Sequence, residues 1–248
     1  MSVLVTGGTK GIGLAIAKRV AARQRRVVLA YHSDDAAAQA AVADIAVAGG
    51  EAVAVKADVG TVEGACALIA AIEGQGRSLT HIVHSAAMIY PTTLLGADLA
   101  KFRAAIETNG LSLLYLVHAA QHLLGHGSSV VFITSMGARI PSPNYGALGV
   151  GKALAEAVIR YLVAELAPRG VRINGVAPGL VHTTSVAAMV GSEEAAAAVV
   201  ERAARSNPSG RVSRDSDYAS LVEYLLSPEA EFVQGQVIAA TGGVGVIG

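Results

Sequence analysis

The stretch that decides the fold is Ser2-Val3-Leu4-Val5-Thr6-Gly7-Gly8-Thr9-Lys10-Gly11-Ile12-Gly13, which an Ala- and Leu-rich segment follows. Its first five residues predict a buried strand, and its glycines predict a sharp turn into a helix. The N–H groups at such a helix start can bind a pyrophosphate that the glycine backbone approaches closely. Although tight turns also use glycine for other reasons, this context predicts the first βαβ unit of a dinucleotide-binding fold. The predicted contacts are Thr6, Gly7, Thr9, Lys10, Gly11, Ile12 and Gly13.

The rest of the chain alternates short β-like runs with longer helical ones. This alternation predicts an α/β fold with a doubly wound, mostly parallel, seven-stranded Rossmann-type sheet and helices on both faces. No shift in composition marks a second domain, so residues 1–248 are predicted as one domain with an Ala-rich helical lid over 183–206. The predicted strands are 2–6, 26–31, 52–56, 81–85, 129–134, 171–177 and 236–240, and the predicted helices include 13–23, 35–48, 99–124 and 154–167.

The composition excludes several classes of function. The 248 residues are 52% apolar, and 19 basic side chains balance 19 acidic ones, so no charge excess points to nucleic acid. We find no apolar run long enough to span a bilayer and no signal-like amino terminus, which together favour a cytoplasmic protein that does not bind membranes. Cys66 is the only cysteine, so an internal disulfide is impossible.

A second pattern concerns Tyr145 and Lys152, which are seven residues apart. On a helix, that spacing places two side chains two turns apart on one face. A phenol there can give a proton to a developing oxyanion, while the ammonium stabilises the phenolate that remains. The alternative is a surface Tyr and an unrelated Lys on the same helix.

The tip of the second strand bears on cofactor choice. An NAD-selective site places a carboxylate there, whereas this chain has Tyr31-His32-Ser33. Lys10 and His32 can approach a 2′-phosphate, and the following Asp34 and Asp35 are interpreted as a helix cap. We therefore predict NADPH in preference to NADH. Asp58 and Val59 are predicted to contact the adenine, with a second helix cap as the alternative.

Taken together, the motifs resemble those of the short-chain dehydrogenase/reductase family along essentially the whole chain. The resemblance implies that Asn109, Ser135, Tyr145 and Lys152 form the catalytic set, and that Lys152 also binds the nicotinamide ribose. It also implies further cofactor contacts after the fourth and sixth strands. The matching segments are Thr6–Gly13, 58–59, 109, 135, 152, 172–179 and 242–243, and the further cofactor contacts are Ser85, Ala86, Ala87, Pro178, Gly179, Val181 and Thr183.

The chain departs from the usual family pattern in two places. His84-Ser85-Ala86-Ala87 replaces the common Asn-Asn-Ala-Gly, which we expect to loosen the support around the cofactor. Leu148 occupies the usual tyrosine position four residues before Lys152, and the nearby phenol is Tyr145. A tyrosine seven residues before the lysine resembles the enoyl-thioester reductases of the superfamily. Ser135-Met136-Gly137, the Gly-Val-Gly-Lys approach and Arg160-Tyr161-Leu162 are most similar to the type III enoyl-acyl-carrier-protein reductases.

The displaced phenol has a chemical rationale. Three residues move its anchor by about 4.5 Å along a helix axis. In enoyl-thioester reduction the hydride reaches the β-carbon, so the acid must reach an oxygen farther from the nicotinamide than in ketone reduction. We expect Tyr145 to bond the thioester carbonyl and stabilise the enolate, with Lys152 lowering the pKa of the phenol.

The other two members of the catalytic set have less specific roles. Ser135 is a candidate second donor or an ordinary buried serine. Asn109 is expected to hold a water or a backbone carbonyl, with a polar core asparagine as the alternative.

Three hypotheses remain open from sequence: an NADPH-dependent reductase of an α,β-unsaturated acyl thioester, a carbonyl reductase, and a cofactor-binding protein without catalysis. The thioester is expected on coenzyme A or on an acyl carrier protein. The resemblance implies a homotetramer or homodimer, and we expect its contacts to involve the helix near Leu154 and the final strand, because apolar-rich helices need a partner surface. Met88, Ile89 and Tyr90 are expected to line the substrate pocket, with loop surface as the alternative. The spacing of His118, His122 and His126 would suit a metal, but no metal site is predicted.

Overall fold

Seven parallel strands form one sheet within residues 2–23, 26–76 and 78–246, the parts of the chain that the computed structural model describes. The strands are β1 Ser2–Thr6, β2 Arg26–Tyr31, β3 Glu51–Lys56, β4 Leu79–His84, β5 Ser129–Ile133, β6 Arg172–Pro178 and β7 Val237–Ala240. Their order across the sheet is β3-β2-β1-β4-β5-β6-β7, which confirms the predicted doubly wound, seven-stranded Rossmann-type arrangement. The ends of the predicted 1–248 domain lie outside these described residues.

Helices cover both faces of this sheet, because alternate residues of each strand face opposite sides. The described helices are α1 Gly11–Ala21, α2 Asp35–Val47, α3 Val62–Gly74, α4 Leu99–Ile106, α5 Ser112–Ala120, α6 Gly146–Leu166, α7 Thr184–Val190, α8 Glu193–Ser206 and α9 Asp215–Leu225. Leu4 of β1 joins a buried cluster with α3, α5 and α6, whereas its neighbours Val3 and Val5 join a second cluster with α1, α2 and α9.

The strand order reverses between β1 and β4, so the crossovers on the two sides run in opposite directions. In open parallel sheets such a switch point leaves a crevice beyond the carboxyl ends of the strands, and ligands bind there. The residues that follow β1, β4, β5 and β6 therefore share one edge of the molecule.

Two predicted helices have the wrong bounds. The predicted helix 99–124 is interrupted by a π-helical segment, Glu107–Leu111, and α5 ends at Ala120. The helix predicted to begin at 154 begins at Gly146, because its glycines serve close packing rather than ending the helix. The predicted lid over 183–206 contains α7 and α8 separated by Gly191, which has a φ of 98°; its role as a lid remains a prediction.

Candidate active site

The loop between β1 and α1 is suited to an anion. Lys10 is the N-cap of α1, but its side chain makes no capping hydrogen bond, and the first turn contains no acidic residue. By contrast, side chains cap α2, α3 and α4 at Asp34, Thr61 and Asp98. The start of α1 thus keeps its positive dipole end and its first N–H groups for a ligand such as a pyrophosphate.

This loop also lies very close to the residues after β4. A β-carbon at Gly7 would lie 3.0 Å from the backbone of Ala86, and one at Gly13 would lie 2.2 Å from the carbonyl oxygen of Gly7. The hydroxyl of Thr6 accepts the N–H groups of Ser85 and Ala86, each at 3.2 Å. The lack of space for side chains at Gly7 and Gly13 fits the close backbone approach that a dinucleotide needs.

The segment after β6 lies close to the same loop. A β-carbon at Gly11 would lie 3.4 Å from Cγ2 of Thr183, the N-cap residue of α7. Pro178 ends β6, and the N–H of Gly179 bonds the carbonyl of Ala240 at 2.9 Å. Val181 is half-buried against the core. The structure thus brings residues predicted from the ends of β1, β4 and β6 to one edge.

Charges at the tip of β2 are paired in a way that the sequence did not predict. Lys10 forms an ion pair with Asp34, which also caps α2 by accepting the N–H of Ala37 at 2.9 Å. The phenol of Tyr31 donates to Asp35 at 2.9 Å, and Lys56 bonds the same carboxylate at 3.0 Å. The interpretation of Asp34 as a cap is confirmed, but a ligand phosphate would meet a lysine that already has an acidic partner.

The surroundings of the remaining predicted cofactor residues give less information about a ligand. Oδ1 of Asp58 accepts the N–H of Gly60 at 2.9 Å, and Oδ2 lies 3.9 Å from Nε2 of His32. Since Thr61 caps α3, the alternative of Asp58 as the helix cap is wrong. Val59 is buried in the core. Ser33 and Ala87 are exposed.

His84 is a site residue whose role sequence reasoning missed. It is fully buried at the end of β4, where Nδ1 lies 2.5 Å from Oγ1 of Thr6 and Nε2 lies 2.7 Å from Oγ of Ser112. Ser112 in turn donates to the carbonyl of Thr108 at 2.6 Å. Because Thr6 accepts two N–H groups, its own proton goes to Nδ1, which makes the imidazole neutral with hydrogen on Nε2.

This network replaces the support that we expected to be lost. Burial, and then the charge of Lys152, lowers the pKa of His84 to about 3, so it stays neutral. Its two hydrogen bonds join β1 to α5, and the bond from Ser112 to Thr108 extends the network to the π-helical segment. The expected loosening around the cofactor is therefore not found.

Asn109 lies in that π-helical segment and clamps the loop after β4. Its side-chain amide donates to the carbonyl of Met88 and its Oδ1 accepts the N–H of Met88, both at 2.9 Å. A β-carbon at Gly151 would lie 2.7 Å from Cβ of Asn109, so α6 can pass this segment only with glycine there. Single π-helical turns often occur at functional sites.

The predicted phenol and hydroxyl meet at the end of β5. Oη of Tyr145 donates to Oγ of Ser135 at 3.1 Å, and the N–H of Gly137 bonds the same oxygen at 3.1 Å. With both lone pairs engaged, the Ser135 hydroxyl can act toward a ligand only as a donor. Tyr145 is the N-cap residue of α6, so it precedes the helix and does not lie on its face.

Lys152 is buried two turns into α6. Its ammonium nitrogen donates to the carbonyl of Ile133 at 2.8 Å and lies 4.4 Å from the centre of the Phe132 ring. Burial lowers the pKa of Lys152 to about 7.

The phenol of Tyr145 is affected in the opposite direction. Burial raises the pKa of Tyr145, an effect that the Ser135 hydrogen bond partly offsets. The expected lowering of the Tyr145 pKa is therefore wrong for this structure, which holds a neutral phenol.

Leu148 is buried in the position that usually carries the tyrosine, so no polar group is available there. The ring of Tyr145 instead packs on Gly137, where a β-carbon would lie 2.3 Å from Cε1 of the ring.

Two of the three residues predicted to line the substrate pocket have defined hydrogen bonds. The backbone N–H of Met88 bonds Asn109, and the hydroxyl of Tyr90 accepts the N–H of Asp98 at 2.9 Å. Met88, Ile89 and Tyr90 are all half-buried.

The three histidines do not converge. His122 follows the end of α5 and its Nε2 lies 2.9 Å from Glu73, so it does not share a helix face with His118. Within residues 2–23, 26–76 and 78–246, no three His, Cys, Asp or Glu side chains are grouped to hold a metal ion. In the same ranges, no helix combines the length and apolarity needed to cross a bilayer.

Comparison with known proteins gives consistent matches along the chain. The family model described as Enoyl-(Acyl carrier protein) reductase matches residues 7–245. The chain is 36% identical to an uncharacterized oxidoreductase of Methylorubrum extorquens, over 97% of this chain and 96% of that protein. It is 30% identical to 1-cyclohexenylcarbonyl-CoA reductase of Streptomyces collinus, over 98% and 86%. It is 29% identical to a 3-oxoacyl-(acyl-carrier-protein) reductase of a Synechocystis strain, over 97% and 95%.

A solved structure extends this similarity to the three-dimensional fold. The crystal structure of a short chain dehydrogenase from Burkholderia cenocepacia in complex with NADP superposes with a TM-score of 0.87. The two sequences are 28% identical, and the match covers 98% of this chain and 97% of that one.

Proposed function

The chain belongs to the short-chain dehydrogenase/reductase family and is an NAD(P)-dependent oxidoreductase, and we propose that it reduces an α,β-unsaturated acyl thioester with NADPH. The observation that carries this proposal is the pairing of Tyr145 with Ser135 while Leu148 is buried at the usual acid position. The phenol is anchored three residues earlier in the chain than in a ketone-reducing site of the family, which suits an acid that acts on a carbonyl two bonds from the reduced carbon.

The residues divide the chemistry between them. When bound, NADPH supplies the hydride. Ser135 can donate its hydroxyl proton to the thioester oxygen, where negative charge develops as the enolate forms. Tyr145, which donates to Ser135 in this structure, becomes the second donor when its hydroxyl turns from Ser135 to the bound substrate. The phenol of Tyr145 is a protonated donor at neutral pH, because burial raises its pKa from an ordinary value that already lies well above that pH. Lys152 holds the end of β5 through Ile133 and is available to the ribose, and Asn109 fixes the loop that borders the substrate.

NADPH is proposed over NADH because Tyr31 supplies no carboxylate at the tip of β2 and Lys10 stands beside it. Asp34 would compete with a 2′-phosphate for Lys10. Variants of these two residues therefore test the preference for NADPH. Replacing Asp34 with Asn should strengthen NADPH binding more than NADH binding, and Lys10→Met should weaken mainly NADPH. Titration of both cofactors measures this, and a wild type that binds NADH as tightly as NADPH would remove the proposal.

A carbonyl reductase is the second candidate. The same Ser135 and Tyr145 hydroxyls can serve a ketone, and the Synechocystis relative is named as a 3-oxoacyl reductase. The Streptomyces relative is named for an unsaturated acyl-CoA, which is the chemistry proposed here. The third hypothesis is a protein that binds the cofactor without catalysis. It predicts that NADPH binds but that neither an enoyl nor a keto thioester is reduced.

We also propose a homotetramer or homodimer. Tyr161 on α6, one of the two predicted contact elements, is 80% exposed, and Phe232, in the segment before β7, is fully exposed. Apolar side chains in such positions favour a partner surface. Sedimentation at micromolar concentration tests this, and a monomer there would contradict it.

The experiment that separates the functions follows NADPH oxidation with crotonyl- and acetoacetyl-coenzyme A under identical conditions. Faster reduction of crotonyl-coenzyme A supports the thioester proposal, and faster reduction of acetoacetyl-coenzyme A supports the carbonyl reductase. The same pair presented on an acyl carrier protein separates the two carriers.

A further inference from the structure

The chain enters α6 through a strained turn. Asn144, directly before Tyr145, has a φ of 58° and is the only non-glycine residue with positive φ among the residues that the structure describes. The N–H of Tyr145 bonds the carbonyl of Ser142 at 3.2 Å, which closes a four-residue turn over 142–145. Pro143 in its second position and a left-handed Asn in its third are the residues that a type II turn demands.

This turn is anchored to the loop after β4. The carbonyl of Asn144 accepts the N–H of Thr92 at 3.0 Å, and Thr92 and Tyr145 form an isolated parallel bridge. On the other side, the ring of Tyr145 packs on Gly137. The backbone at 144 therefore sets the direction in which the phenol leaves the chain, because Tyr145 lies outside the regular helix.

We propose that Asn144 is a positioning residue: its left-handed backbone aims the Tyr145 phenol at Ser135 and at the substrate oxygen. The inference rests on the proposed function of Tyr145 as the acid. It assigns the effect to the backbone of Asn144 and not to its exposed side chain. Few non-glycine residues adopt this conformation; asparagine does so readily, whereas a β-branched residue there is an outlier.

The matched variants are Asn144→Gly, which keeps the left-handed backbone, and Asn144→Val, which opposes it. We expect Asn144→Val to lower kcat about 10–100-fold, the usual cost of a misplaced reacting group, with unchanged NADPH affinity. Asn144→Gly should retain wild-type kcat. Pro143→Ala, which loosens the same turn without the β-branched side chain, should give an intermediate loss and serves if Asn144→Val does not fold.

A second readout needs no substrate. In protein labelled with 3-fluorotyrosine, the ¹⁹F resonance of Tyr145 is assigned from its absence in Tyr145→Phe. The resonance should move in Asn144→Val and stay in place in Asn144→Gly.

The proposal is overturned if Asn144→Val keeps both turnover and the resonance position, or if Asn144→Gly loses as much as Asn144→Val. Turnover is measured on whichever thioester the wild type reduces, so a failure of the enoyl proposal leaves this test intact. If neither thioester is reduced, the resonance alone decides.

Discussion

The phenolic oxygen of Tyr145 lies 3.1 Å from the hydroxyl oxygen of Ser135, although Tyr145 stands one residue before helix α6 begins. The contact does not depend on the face of a helix. It depends on the turn that delivers Tyr145 and on the bare backbone of Gly137 beneath its ring. Lys152 reaches the same end of β5 from inside the helix, through the carbonyl of Ile133.

The space beneath the ring gives the first prediction. In Gly137→Ala the new methyl would meet the Tyr145 ring at 2.3 Å, so the ring must leave the position in which its hydroxyl bonds Ser135. We expect kcat to fall by about 10–100-fold with little change in NADPH affinity, since a small displacement of an acid is costly. Steady-state kinetics and a cofactor titration measure the two effects.

Gly125→Ala is the matched control, because a β-carbon at Gly125 meets nothing within 4 Å. It should leave both quantities unchanged. A Gly137→Ala enzyme with wild-type turnover would show that the ring position has no bearing on the reaction.

The buried imidazole gives the second prediction. His84→Leu leaves the hydroxyls of Thr6 and Ser112 without a partner that each has in the native protein. We expect the free energy of unfolding to fall by about 2–4 kcal/mol, because each unsatisfied buried polar group costs about 1–3 kcal/mol. Urea unfolding without cofactor measures it. The exposed His118→Leu should change stability by less than about 0.5 kcal/mol, and equal losses in the two variants would contradict the network.

The buried lysine gives the third prediction, which concerns pH. The pKa of Lys152 is lowered from 10.5 to about 7 by burial, so the unfolded chain holds more protons than the native one between these values. Stability from this group is therefore fully present above pH 10.5 and is lost as pH falls toward 7. In the apo protein, the wild type should gain stability relative to Lys152→Met as pH rises from 7 to 9, by at most about 1.4 kcal/mol per pH unit.

Denaturant unfolding of both proteins at pH 7, 8 and 9 measures this gain, because groups common to both cancel in the difference. A constant difference over that range would mean that Lys152 titrates normally in the folded chain.

Features carried by local chemistry could be predicted from sequence. The apolar run before Gly7 and the glycines after it predict the strand, turn and helix start that the structure contains, because each depends on its immediate neighbours. The start of α6 could not be predicted, since Gly149 and Gly151 signal a broken helix by propensity. In the fold they allow close contact with the carbonyl of Gly137 and with Asn109, which are distant in sequence.

Tertiary pairs were missed for the same reason. The Lys10–Asp34 ion pair joins residues 24 apart, and the bridge from Thr6 through His84 to Ser112 joins three separate elements. These contacts can be predicted only after the order of the strands is known. The π-helical segment at Asn109 could not be predicted from the neighbouring residues in the sequence either, because a π-turn depends on how α4 and α5 pack against α6.

Turnover of crotonyl-coenzyme A by Tyr145→Phe tests the central claim most directly. If Tyr145 is the acid that serves the thioester oxygen, kcat should fall about 10²–10⁴-fold while NADPH affinity remains close to that of the wild type, because the phenol acts on the substrate. A Tyr145→Phe enzyme that turns over crotonyl-coenzyme A at a near wild-type rate would contradict the account and place the proton donor elsewhere, with Ser135 the first residue to test.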